Sequence, residues 1–261
     1  MVNIGYSKKT KWIGGSIAIL GILMLGFFLV LSQKGYYRSG LSLVKGGTLL
    51  IAIPEKETKI FIDNEKSYTS SEDNDVWRKT LKPGSYEILV FKEGLWPWTK
   101  KIEMSPGEET KIAPFLLDAN PQAKILFPDD LLYREAEVAI ASAISGKSPR
   151  QKISRDNEIL LWSNGNEIRA AWNGLCEEAK ECPRQEQIVF AGDRPILNFD
   201  FYKNRNDVVI FSTGENIFAI ELDKRGTQNF QPVFSGKELR FQAIGNRLYV
   251  KDGADLMLIE L

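Results

Sequence analysis

No histidine occurs anywhere in the 261 residues. Every Ser-His or Cys-His nucleophile pair and every His-metal ligand set is thereby excluded. Cysteine is nearly as scarce, with only Cys176 and Cys182. A zinc site wants more ligands than that, so neither a metal nor a cofactor is expected. Net charge is lacking too, 34 basic side chains standing against 34 acidic ones. No basic surplus covers the body of the protein, and nucleic acid is not an expected partner.

The cancellation hides an asymmetry. Residues 1–45 carry Lys8, Lys9, Lys11, Lys34, Arg38 and Lys45 and no acid, so the remaining chain carries six more acids than bases. Between Lys11 and Lys34 there is no charge at all. The run Trp12–Leu31 holds 15 apolar residues together with Gly14, Gly15, Ser16, Gly21 and Gly26. Twenty helical residues span about 30 Å, the thickness of a bilayer's hydrocarbon core. Trp12 at one end and Tyr36 and Tyr37 beyond the other suit the two interfaces. A single transmembrane helix over 12–31 is expected, behind a short basic tail, 1–11. A cleaved signal peptide is the rival reading. It would show a shorter apolar region followed by small residues in an A-x-A pattern, and Leu31 is followed instead by Ser-Gln-Lys-Gly-Tyr-Tyr. Positive charge flanks both ends, leaning slightly toward a cytoplasmic N-terminus and an extracytoplasmic body. Cys176 and Cys182, in a polar loop, fit an oxidising compartment if they are bridged and are two free thiols if they are not.

After a linker at 33–45 the texture becomes strand and turn. Gly47–Ile53 and Lys59–Ile62 are rich in apolar β-formers, and Asp63-Asn64 is a hairpin dipeptide. Leu81-Lys-Pro-Gly84, Glu93-Gly94 and Ser105-Pro-Gly-Glu108 punctuate further strands at Gly84–Lys92, Leu95–Met104 and Glu109–Leu117. This spacing predicts a small antiparallel sandwich over 46–117. The acidic loop Ser71–Asp75 reads as solvated rather than as a calcium loop through Asp73 and Asp75, because a dedicated loop's glycine and bidentate glutamate are missing.

Several of these residues carry a family resemblance. Ile60-Phe61-Ile62-Asp63, Leu81-Lys-Pro-Gly-Ser-Tyr86, Phe91-Lys-Glu-Gly94, Pro97-Trp98 and Pro106-Gly107-Glu108 occur in the order found in the PEGA domain, which this stretch of about 70 residues resembles. The chain departs from the family at Pro54-Glu55-Lys56-Glu57, where the name-giving motif would stand. The resemblance implies a non-catalytic β-sandwich of surface and envelope proteins. Trp96 and Trp98 then have two readings, a binding surface for sugar or protein and a core or its lid.

Residues 119–155 read as a linker with a helix over Asp130–Ile144, where Leu132, Ala136, Ala139 and Ala143 recur at helical spacing. Beyond lies a repeat. Asn157-Glu-Ile-Leu-Leu-Trp-Ser-Asn-Gly165 is echoed by Asn206-Asp-Val-Val-Ile-Phe-Ser-Thr-Gly214 and again by Asn246-Arg-Leu-Tyr-Val-Lys-Asp-Gly253. Strand, glycine turn and strand at a period of about 40–50 residues predict propeller-like hairpin units over 156–261. This region resembles the segments that follow PEGA domains in membrane-anchored proteins of Patescibacteria-type bacteria. Three units are too few for a ring of about four to eight blades, which leaves an open stack, a ring shared between chains by self-association, or further strands within 119–155.

The expected fold is thus mainly β: a transmembrane helix, a PEGA-like sandwich, then about three propeller-like units that do not close a ring. The expected role is that of a single-pass, non-catalytic cell-envelope protein that binds a protein or polysaccharide partner. An accessory subunit of an envelope secretion or pilus-type machine fits as well. A wall-acting enzyme would depend on carboxylate pairs such as Asp129-Asp130 or Asp73/Asp75, and solvated loop acids explain those better.

Overall fold

The structure, a computed structural model, describes residues 8–40, 42–73, 75–144, 151–172, 186–203 and 205–261, without the side chains of 8–18, Phe28, Ser39 and Ile144. Cys176 and Cys182 lie outside the described residues. The chain forms two compact units. One comprises Met1–Ile53, Asn74–Tyr86 and Glu103–Ala113, the other Pro54–Asp73, Glu87–Ile102 and Pro114–Leu261.

In the first unit, helix α1 runs over Lys8–Gln33. Its described apolar side chains from Ile19 to Val30 are 51–70% exposed. Among the described residues no helix is long and apolar enough to cross a membrane. The expected linker that follows contains a hairpin, Tyr36–Ser39 against Ser42–Lys45. Strand Gly47–Ile53 then lies at the centre of a three-stranded sheet. It pairs antiparallel with Asp75–Leu81 and parallel with Glu109–Ile112. The parallel partner corrects the expectation of an all-antiparallel module. Strands far apart in sequence have no hairpin to fix their direction, so tertiary packing sets it. The alternating burial of Leu49, Ile51 and Ile53, each at most 1% exposed, puts one face of this strand inside.

Among the described residues, the second unit holds four four-stranded sheets. The first orders Glu65–Thr69, Lys59–Ile62, Gly84–Phe91 (from Glu87) and Trp98–Met104 (to Ile102). Its Asp63-Asn64 turn has φ of +49° and +67°, the two positive values of a type I′ hairpin that aspartate and asparagine tolerate. The other three sheets carry the repeats, one at the heart of each. Hairpin Ile159–Asn164/Glu167–Trp172 is flanked by Gln151–Ile153 and Glu186–Ala191. Hairpin Val208–Ser212/Asn216–Glu221 is flanked by Asn198–Phe201 and Phe230–Ser235. Hairpin Arg247–Asp252/Asp255–Glu260 is flanked by Leu239–Ile244 and, from well before the repeats, Ala123–Ile125. The three repeat glycines, Gly165, Gly214 and Gly253, all sit at positive φ.

Burial shows how these sheets stack. A shared core joins Leu161, Ile168 and Ala170 of the first repeat sheet to Phe199, Val209 and Phe211 of the second. The Asn198 amide donates to the Phe241 carbonyl and the Ser212 hydroxyl to that of Leu239, tying the second sheet to the third. On the third sheet's other face lies helix α2, Tyr133–Ile144, which seats Ala136, Ala139 and Ile140 against Tyr249, Leu256 and Leu258. Apolar residues at i, i+3 and i+4 share one helix face, and the two alanines among them let the helix approach the sheet closely. The helix begins three residues later than expected, because Asp130 is spent on the turn before it. Its carboxylate accepts from the Phe127 N–H, and its carbonyl from that of Tyr133.

Candidate functional site

The structure separates the two tryptophans singled out from the sequence. Trp96 is 36% exposed, at the end of a turn where its N–H bonds the Leu117 carbonyl. Trp98 is 1% exposed and donates its indole N–H to Glu221 at 3.1 Å. Of the two, only Trp96 presents a ring to solvent.

Around Trp98 the second unit contains a buried polar node. The strand from Trp98 alternates strictly, with Trp98, Lys100 and Ile102 inside and Thr99 and Lys101 outside. That register forces a lysine into the interior, where its side chain is 1% exposed. Its ammonium meets Glu221 at 2.7 Å and Asp223 at 3.3 Å, and donates to the carbonyls of Asp223 and Arg225. Asn229 adds an imitation of strand pairing: its side-chain oxygen accepts from the Thr99 N–H at 3.0 Å while its amide donates to the Thr99 carbonyl at 2.8 Å. Burial pushes the Glu221 carboxyl above its usual range, and Lys100 and the Asn229 donors hold it back. Burial also acts upward on Asp223, but hydrogen bonds from Arg225 and the charge of Lys100 take it below its usual range. Every charge in the node is partnered. Its chemistry is that of a clasp, with no group left for a ligand.

A second place in this unit is built differently. A cleft of about 250 Å³ opens beside the loop that joins Asn198–Phe201 to Val208–Ser212. Leu95, Leu116, Val233 and Ile259 form apolar wall, and Glu55, Asp118, Tyr202 and Lys203 supply polar groups. Tyr202 and Arg205 in this loop are tied by hydrogen bonds. Tyr202 bonds through its N–H to the Val208 carbonyl and through its carbonyl to the Arg205 N–H. Arg205 in turn pairs with Asp207 and donates to the Pro114 carbonyl. At its apex Lys203 has φ of +54°, a left-handed conformation that is uncommon for a residue with a side chain.

Two of the polar groups have unused capacity. Tyr202 is 2% exposed, and its hydroxyl makes no hydrogen bond among the described residues. The Lys203 ammonium lies 5.3 Å from the centre of the Tyr202 ring and has neither a hydrogen bond nor an ion pair among the described residues. Glu55, whose charge acts on it, is already paired with Lys92 at 2.6 Å. Burial lowers the Lys203 amine below the usual lysine range and raises the Tyr202 phenol above its own. No signal in the sequence pointed to Tyr202 and Lys203: a Tyr-Lys pair in a loop has no periodicity and no motif.

The phenol supports a prediction. A tyrosine whose folded pKa is raised contributes stability that is whole below its ordinary value of 10 and is lost as pH climbs from there toward the folded value. Tyr202→Phe therefore lessens the fall in melting temperature above about pH 10. Lys203 acts with the opposite sign, but equally in both proteins, so it cancels in the comparison. Parallel melting-temperature profiles for the two proteins would contradict the burial of the phenol.

Three of the four carboxylates weighed as catalytic, Asp130, Asp73 and Asp75, have partners within the chain. Asp130 pairs with Lys124 at 2.8 Å and caps the turn before α2. Asp73 accepts from the Lys56 N–H at 2.7 Å, and Asp75 from that of Val76 at 2.8 Å. Among the described residues no group of three or more acids or cysteines is placed to hold a metal ion.

No family model matches the chain, and no curated protein matches it. Among solved structures, a DUF3823 family protein from Bacteroides ovatus ATCC 8483 aligns over 82% of this chain and 96% of its own, at 8% identity and a TM-score of 0.22. Likeness at that level carries no argument about fold or function.

Proposed function

We propose that this is a single-pass membrane-anchored, non-catalytic envelope protein that displays its β sheets for binding. The observation that carries this reading is α1. The described apolar side chains from Ile19 to Val30 are exposed on every side of the helix. A helix lying on a water-soluble body would show one polar face, whereas a helix covered by lipid has no such need. The uncharged run of the sequence extends this texture back to Trp12, and lysines stand at both ends.

The finer fold reading belongs to the same proposal. Residues 46–117 are read as the PEGA-like β-sandwich that the sequence resemblance implies. The three repeat sheets are an open, propeller-like stack. Support for the stack comes from strand order: the first two repeat sheets are four-stranded meanders, and the third is a three-stranded meander that Ala123–Ile125, from before the repeats, completes. With α2 seated on the third sheet, that face is occupied without a further blade.

Alkaline carbonate washing of membranes from cells expressing the full chain, followed by protease treatment of intact cells, tests the reading. The chain should stay in the membrane pellet, and protease should shed the body. Release by carbonate would remove the anchor. Retention with a protease-resistant body in intact cells, cleaved once they are permeabilised, would reverse the orientation.

A further inference from the structure

We propose that the cleft beside Tyr202 and Lys203 is a binding site for one small carboxylate that also carries a hydrogen-bond donor, a hydroxyl or an amine. This deepens the binding role proposed above and does not require the membrane anchor.

The argument starts from what the fold leaves unfinished. An ammonium half out of water, with no anion of its own, costs free energy that a bound carboxylate would recover. Lys203 is in that position, because the acid acting on it, Glu55, is held at 2.6 Å by Lys92. The Tyr202 hydroxyl, in a residue 2% exposed, is a second donor with no acceptor among the described residues. The two adjacent donors line one cleft, and a carboxylate offers two oxygens to meet them. The left-handed backbone at Lys203, φ +54°, fits the same picture, since strain of this kind is retained where it positions a functional group.

The rest of the lining sets what the carboxylate is attached to. Glu55, Asp118 and Glu260, the three acids of the lining, can only accept hydrogen bonds when ionised, so they favour a ligand with donors of its own. Their charge also disfavours a bare inorganic anion. Leu95, Leu116 and Val233 provide wall for a compact apolar side or the carbon face of a sugar ring. A space of about 250 Å³ lies below the range of drug-sized pockets, ~300–1,000 Å³. An α-amino acid or a single uronic acid has this chemistry and this size.

Calorimetric titration of the full chain in detergent micelles tests the proposal, with three probes: leucine, glucuronate and hexanoate. Saturable binding of leucine or of glucuronate is expected, and which of them binds identifies the source of the carboxylate. Hexanoate, lacking a donor, should bind at least tenfold more weakly. Lys203→Gln should weaken the binding at least tenfold and Tyr202→Phe severalfold, while Lys237→Gln, an exposed lysine elsewhere, should leave it unchanged. Failure of both leucine and glucuronate to bind a chain with a native β circular dichroism spectrum would overturn the proposal. Equal binding by Lys203→Gln and the unaltered protein would overturn it too, as would hexanoate binding as well as the others. A chain that binds the probes yet washes out of membranes keeps the cleft and loses the anchor, so the two readings fail separately.

Discussion

Lys100→Ala is expected to destabilise the protein by about 3–5 kcal/mol, the range for removing one partner of a buried ion pair. Glu221, with its side chain 5% exposed, would keep its charge in the interior without the ammonium at 2.7 Å that balances it. Asp223 would lose the same cation, and two backbone carbonyls would lose a donor. Replacing the pair is expected to be milder than breaking it. Lys100→Met with Glu221→Gln removes both charges while keeping volume, and a glutamine oxygen can still accept from Asn229. The double variant should therefore recover part of the loss, as read from denaturant unfolding. A cost equal to that of Lys100→Ala would show that lost packing, not the buried charge, is responsible.

The pH dependence separates these further. Burial raises the Glu221 carboxyl above its ordinary value of 4.5. The stability linked to it is whole below that value and is lost as pH rises through the folded pKa. Lys100 restrains this loss. Without Lys100 the folded pKa rises further, so Lys100→Ala should be closest to the unaltered protein in acid and farthest from it near neutrality.

Gly226→Ala is the second large effect, about 2–4 kcal/mol. A β-carbon at Gly226 would stand 2.0 Å from the Lys101 carbonyl oxygen, a backbone atom that cannot swing aside, and φ there is +61°. The left-handed conformation accounts for about 1 kcal/mol of the cost and forced displacement for the remainder. Gly245 supplies the control. Its φ is +60° and a β-carbon there meets nothing within 4 Å, so Gly245→Ala should show the conformational cost alone. Equal thermal shifts for the two variants would contradict the close approach of residues 101 and 226.

Much of the local structure was legible in the residues. Asp63-Asn64 specifies its turn because both side chains tolerate positive φ, and the three repeat glycines mark their hairpins for the same reason. Alanines at helical spacing located α2, though not its first turn, since Asp130 suited a cap as well as a helix. Strand Asp75–Leu81 passed unseen in Asp-Val-Trp-Arg-Lys-Thr-Leu, which sets polar groups on both faces and is buried only at its last residue. The hairpin at 36–45 was hidden in the same way, its short strands leaving almost every side chain in water.

The site was far less legible. Alternation along Trp98–Met104 placed Lys100 on the inner face, but its partners lie more than 120 residues away, a separation no local pattern spans. Tyr202 and Lys203 were silent for the same reason, since what distinguishes them is the absence of a partner in space. By itself, the sequence determined where charge is missing, which chemistry the absence of histidine rules out, and where the chain turns. Those are properties of single residues and their near neighbours. Only the tertiary structure decided that Glu109–Ile112 runs parallel to Gly47–Ile53, that Ala123–Ile125 completes the last repeat sheet, and that one lysine is clasped while another is left open. Pairing over long separations depends on which surfaces meet, and that is a property of the folded chain.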